Sequence, residues 1–140
     1  MVKAMEDHKN QFVLILAGYS DEMEFFLSSN PGLPSRFPIV IEFPDYTVDQ
    51  LVQIAELMVR ERDYSLTPAT VMKLRQILQS EKANCEDIFS NARLVRNLIE
   101  RSIRNQAVRL LTLYGSGSPG RQELMILRPE DFKTDKKAIF

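Results

Sequence analysis

Residues 12–18, FVLILAG, form an apolar run of strand length closed by Gly18. Such a run, with no polar residue alternating through it, predicts a strand covered on both faces, as in a parallel sheet. That kind of strand requires neighbours on each side and helices above and below. Residues 39–43, IVIEF, supply one further strand candidate, and no segment of comparable strength follows Pro44. Two strands with one or two short helices cannot enclose a parallel sheet. Residues 1–44 are therefore expected to be the second half of an α/β domain whose first half is absent from this chain. An apolar strand edge left open predicts association.

The helical expectations follow from caps and periodicity. Val2 and Met5 are spaced as on one face of a helix closed by Lys9 and Asn10. Ser20 is expected to cap a short helix with Asp21, Glu22 and Glu24 in its first turn, and with Met23, Phe26 and Leu27 inward. Thr47 and Gln50 have capping-box spacing, and Val48, Leu51, Val52, Ala55, Met58 and Val59 follow with helical period to about Glu61. Thr67 before Pro68 opens another helix, with Val71, Leu74 and Leu78 on its buried face. Asn91 is expected to cap a third, 92–113, carrying Leu94, Val95, Leu98, Ile99, Ile103, Leu110 and Leu111 and ended by Gly115. GSGSPG, 115–120, reads as a loop, ELMIL, 123–127, as a short strand, and RPEDF as the start of a last helical turn before a charged tail. The expected organisation is a strand-bearing piece, 1–44, a helical domain, 45–113, and a tail, 114–140, mostly helical overall.

Charge and residue usage narrow the function classes. With a net charge of −1 the chain has no global pull toward nucleic acid or membrane. Cys85 is the single cysteine and His8 the single histidine, so neither an internal disulfide nor a His/Cys metal cluster is available. No apolar run approaches the roughly 18 residues of a membrane span, and no signal-peptide pattern opens the chain, so a cytoplasmic location is expected.

Several motifs invite chemistry and do not sustain it. GSGSPGRQ, 115–122, has two glycines at phosphate-loop separation, but Arg121 and Gln122 stand where Lys and Ser or Thr are required. Asp21 and Glu22 follow an apolar strand but lie beyond its tip, which suits a helix start better than a magnesium site. Neither His8 nor Cys85 has a nucleophile-activating context. Arg93, Arg96, Arg101 and Arg104 share one arc of their helix, opposite its apolar face, and suit phosphates of a nucleotide or nucleic acid. Glu100 and the neutral net charge favour a solvated face instead.

The remaining feature is NPGLPSRFP, 30–38, in which Arg36 stands between Pro34 and Pro38. The prolines bias Leu33 and Phe37 away from helix and limit where Arg36 can point. The arginine is either paired with a surface acid or aimed at a partner.

VLILAGYSDEMEFFLSSNPGLPSRFPIVIEFPDYT, followed by NARLVRNLIERSIRNQAVRL, closely resembles the C-terminal half of the CbbX/CfxQ branch of AAA+ ATPases, the stage V sporulation protein K group within it. The similarity covers roughly residues 1–113, and the ordered set AGY, NPGL.SRFP, FPDY and NAR..RN carries it. The resemblance implies the end of a doubly wound parallel-sheet domain followed by an all-helical lid, with the Walker A loop and Walker B acids N-terminal to Met1. It implies that Arg36 is the arginine finger, acting across a subunit boundary on a neighbour's ATP. It also implies that Arg93 is the sensor 2 arginine and that Tyr19 occupies the sensor 1 place, where many relatives have Asn or Thr. Where family members commonly carry Gly before NAR, this chain has Ser90. The expected parent is a ring, a hexamer, that uses ATP and magnesium to remodel a protein. This chain alone is expected to hold neither and to be inactive. The alternative is a self-standing helical binding module that uses helix 92–113 on nucleic acid or a protein partner.

Overall fold

The computed structural model describes residue 3 and residues 11–85 and 89–133. His8 and the helical face expected of Val2 and Met5 lie outside them. The chain divides into two compact units, Met1–Phe43 and Pro44–Phe140.

The first unit holds helix α1, Ser20–Ser28. Its N-cap is Tyr19 and not Ser20: Tyr19 is extended, its carbonyl accepts from the Met23 amide at 2.8 Å, and no side chain closes the cap. Asp21 and Glu22 sit in the first turn as expected. Met23 and Leu27 are half-buried, while Phe26 is exposed. Residues 12–18 and 39–43 form no strand, contrary to the sequence expectation. A strand is stabilised by ladder partners, and no described segment of this unit offers them. Val13 and Ile15, like Ile39, Val40, Ile41 and Phe43, are consequently more than 70% exposed.

The second unit is a helical body. Helix α2, Val48–Arg60, opens on the expected capping box, with the Gln50 amide donating to Thr47 Oγ1 and the Thr47 amide to Gln50 Oε1. It ends without glycine: Asp63 takes φ 61°, and the Tyr64 amide returns to the Val59 carbonyl at 3.0 Å. That is the Schellman arrangement with aspartate in the left-handed position. Helix α3, Pro68–Asn84, is capped by Thr67, whose side chain accepts from the Thr70 amide. Helix α4, Asn91–Tyr114, closes on Gly115 at φ 54°, a conformation that costs glycine least.

α2 packs against both α3 and α4. Leu51, Ala55, Leu74, Leu78, Val95 and Ile99 are essentially excluded from solvent at the shared core. The expected strand at 123–127 resolves into helix α5, Arg121–Met125, and a two-residue strand β2, Ile126–Leu127. β2 pairs in parallel with β1, Ser65–Leu66, in the register Ser65 to Ile126 and Leu66 to Leu127. A 3₁₀ turn, Pro129–Asp131, follows as the expected last helical turn. Gln106, buried on α4, donates from Nε2 to the carbonyls of Glu123, Leu124 and Ile126, at 3.2, 2.9 and 3.1 Å. The segment after Gly115 is thereby built into the same helical body.

Candidate functional site

Tyr19 and Arg36 belong to the first unit and Arg93 to the second. Arg36 closes a 3₁₀ turn, Pro34–Arg36, inside a tightly bonded loop. The Leu33 amide donates to the Asn30 carbonyl and the Arg36 amide to the Leu33 carbonyl, each at 2.9 Å. Leu33, 3% exposed, anchors the loop. The bias expected of the residue before proline holds at Phe37, which is not helical, and fails at Leu33, which sits at φ −74°, ψ −46°. Burial of the Leu33 side chain and its two backbone bonds outweigh the steric preference. Arg36 Nη1 donates to the Gly32 carbonyl at 2.6 Å. A Cβ added at Gly32 would come within 2.7 Å of that nitrogen, so glycine is what admits the guanidinium there.

Tyr19 stands at the N-cap of α1, 55% exposed. Its ring is presented to solvent from a fixed backbone position.

Arg93 lies in the first turn of α4, where its amide donates to the Ser90 carbonyl at 3.0 Å. Its side chain is exposed and has no hydrogen-bonding or ionic partner among the described residues. Arg96 and Arg104 are likewise exposed, whereas Arg101 is half-buried, so the arginine arc is narrower than helical spacing alone implies. The start of α4 departs from expectation. Ser90 is the N-cap and makes no side-chain cap bond, while Asn91 is the first helical residue, at φ 43°. Its side chain does other work: Oδ1 accepts from the Tyr46 amide at 3.0 Å, and Nδ2 donates to Asp45 Oδ1 and to the Phe89 carbonyl. Lys82 Nζ donates to the Tyr46 carbonyl at 2.8 Å and lies 5.7 Å from the centre of the Phe89 ring. Sequence spacing marked Asn91 as a cap, and it carries no signal of a contact 45 residues back along the chain.

Residues 47–139 match the AAA lid domain family. This chain belongs to that family. The chain is similar over 99% of its length to stage V sporulation protein K of Bacillus subtilis (strain 168), at 49% identity, covering 42% of that protein. It is 40% identical over 99% of the chain to a chloroplastic ribulose bisphosphate carboxylase/oxygenase activase of Cyanidioschyzon merolae, covering 46% of it. Protein CbbX of Cereibacter sphaeroides is 37% identical over 97% of the chain, which covers 43% of CbbX. The chain thus spans less than half the length of these curated relatives. The match reaches residue 139, so the AAA lid includes α5 and β2, which Gln106 ties down, and the turn at Pro129, which Asn105 and Arg109 hold through Asp131.

A shallow apolar groove between Tyr64, Leu110, Leu111, Tyr114 and Leu124 lies at the far end of α4 from Arg93. At 1.5 Å per residue, the 17 positions from Arg93 to Leu110 put it about 25 Å away along the helix. Among the described residues no group of His, Cys, Asp and Glu is arranged to hold a metal ion. No helix of the described residues is long and apolar enough to cross a membrane.

Proposed function

We propose that this chain is the sensor and lid portion of an AAA+ ATPase of the CbbX and stage V sporulation protein K type, whose assembled ring, a hexamer, hydrolyses ATP to remodel a protein partner in the cytoplasm. The observation that carries the reading is Arg93: an exposed guanidinium, unpartnered among the described residues, held by the first turn of the long AAA lid helix. A phosphate supplies the negative charge and the pair of acceptor oxygens that a planar guanidinium engages bidentately.

In this reading Arg93 is sensor 2 and meets the γ-phosphate bound in its own subunit. Arg36 is the finger and reaches a neighbour's ATP, leaving the Gly32 carbonyl to do so. A guanidinium so placed stabilises the charge that spreads over the transferred phosphoryl oxygens, which in related systems is worth about 10³ to 10⁵ in rate. Tyr19 takes the sensor 1 position. ATP and magnesium supply the reacting phosphate and its neutralising cation when bound; this chain contributes the arginines that orient and stabilise. Alone it turns over no ATP. The sporulation name of the Bacillus relative suggests the same setting for this protein, its substrate being another protein and not nucleic acid or membrane.

The test is a ring in which this chain replaces the matching segment of the Bacillus relative. Arg93→Ala is expected to remove most ATP turnover. Arg36→Ala subunits, inactive by themselves, should regain turnover when mixed with subunits that keep Arg36 but lack the catalytic acid of the N-terminal segment. No recovery on mixing would mean that Arg36 does not act across the boundary.

A further inference from the structure

Two neighbouring residues that lead into the lid are held by side chains of the lid itself. The Tyr46 amide is taken by Asn91 Oδ1, the Tyr46 carbonyl by Lys82 Nζ, and the Asp45 carboxylate by Asn91 Nδ2. The next amide, Thr47, is closed by Gln50. Residues 45–47 are therefore fastened to α2, α3 and α4 before α2 begins. The contact to α4 is made two positions ahead of Arg93, in the turn that the Arg93 amide closes onto Ser90.

Asn91 suits this task in a way its neighbours in the amino-acid alphabet do not. At φ 43° most side chains are strained, and asparagine and glycine tolerate the left-handed region best. Glycine has no amide to offer. Aspartate would keep an acceptor for the Tyr46 amide but would set a second carboxylate against Asp45. Asparagine combines the backbone tolerance with one acceptor and one donor on the same group.

We propose that Asn91 is a positioning residue for Arg93: by tying Asp45 and Tyr46 to the first turn of α4, it makes the approach to the lid and the arginine move as one body. The pivot of any motion at this junction then lies upstream of Asp45. The proposal rests on the sensor 2 reading of Arg93 given above. It differs from a purely stabilising tether because it acts on turnover only through the arginine.

The test has two parts. In this chain, Asn91→Gly keeps the left-handed backbone and removes the amide, so hydrogen exchange at the Tyr46 amide should rise at least about tenfold while the amides of α2 and α3 are unchanged. In the ring carrying this chain in place of the relative's segment, Asn91→Gly should lower kcat about ten- to a hundredfold, with little change in KM for ATP, as expected of a misplaced group. Asp45→Ala, which frees the other end of the tether without touching α4, should lower kcat in the same direction. Both losses should vanish in the Arg93→Ala background, since a positioning residue has nothing left to position. An unchanged kcat for Asn91→Gly beside a damaged Arg93→Ala overturns the proposal and leaves the sensor reading standing. So does an equal fall in the Arg93→Ala background. If Arg93→Ala leaves turnover intact, the sensor reading falls and takes the proposal with it.

Discussion

Asp131 is 1% exposed, and its carboxylate receives three hydrogen bonds: from Arg109 Nε at 2.8 Å, Arg109 Nη2 at 3.0 Å and the Arg128 amide at 2.8 Å. Arg109 is also largely enclosed, and its third nitrogen, Nη1, has no hydrogen-bond partner although Glu123 lies 3.9 Å away. The bidentate bond to Asp131 holds the Arg109 guanidinium above its ordinary range, against the opposing effect of burial, with Glu130 and Glu123 adding to the attraction. A raised value means that this contribution is fully present below the unfolded guanidinium's own range and is lost only as pH rises through the folded one. It therefore stays constant across neutral and mildly alkaline pH. Asp131→Ala removes the bidentate partner and leaves the enclosed guanidinium only Glu130 at 3.7 Å and Glu123 at 3.9 Å, so it is expected to cost about 3 kcal/mol. Urea titration of the chain measures this. A double variant, Arg109→Met with Asp131→Ala, should recover much of the loss, because it leaves no unpaired charge.

At the scale of elements, α2 illustrates how local chemistry sets a boundary. Both halves of its capping box are formed, so Thr47→Ala removes an acceptor from the Gln50 amide and is expected to destabilise the lid by about 1 kcal/mol. Thermal unfolding of the variant beside the parent gives the number, and an unchanged midpoint would mean that water serves the amide equally well. This start was legible from Thr47 and Gln50, as was the start of α3 from Thr67 and Pro68 and the end of α4 from Gly115. The information in those cases lies within a few residues. What escaped was non-local. β1 is two residues long, too short for any periodicity, and exists because Ser65 and Ile126 meet across the fold, whereas its partner β2 lies within the strand expected at 123–127. Thr70, whose hydroxyl donates to the Leu127 carbonyl at 2.9 Å, looks like any first-turn threonine until that strand is in place. The same limit applies to the candidate site. Arg36 and Arg93 stood out by their surroundings in sequence, whereas Asn91 acquires its partners only when α4 is set beside residues 45 and 46.

Across the whole molecule the apolar side chains are distributed unequally. The continuous core of Leu51, Leu74, Leu78, Ile99, Leu127 and Phe132 lies wholly in the second unit, where helices and the paired strands satisfy the backbone around it. The first unit instead presents Val13, Ile15, Ile39, Val40, Ile41 and Phe43 at exposures of 71–90%, on segments whose backbone makes no ladder. Unpaired amides and carbonyls beside apolar side chains are a template for pairing with another chain. The two units are therefore expected to behave differently in solution. The 140-residue chain should self-associate with rising concentration, while a chain beginning at Pro44, which retains the whole core, should sediment as a monomer and unfold in one cooperative transition. Sedimentation velocity on the two chains decides it. If the shorter chain associates as strongly, the apolar groove at Leu110 and Leu124 would be the cause, and the open segments of the first unit would not be. Charge placed within 39–41, as in Val40→Lys, separates the two further: it should suppress association of the full chain and leave its unfolding transition unmoved, because a side chain already 74% exposed contributes little to folding.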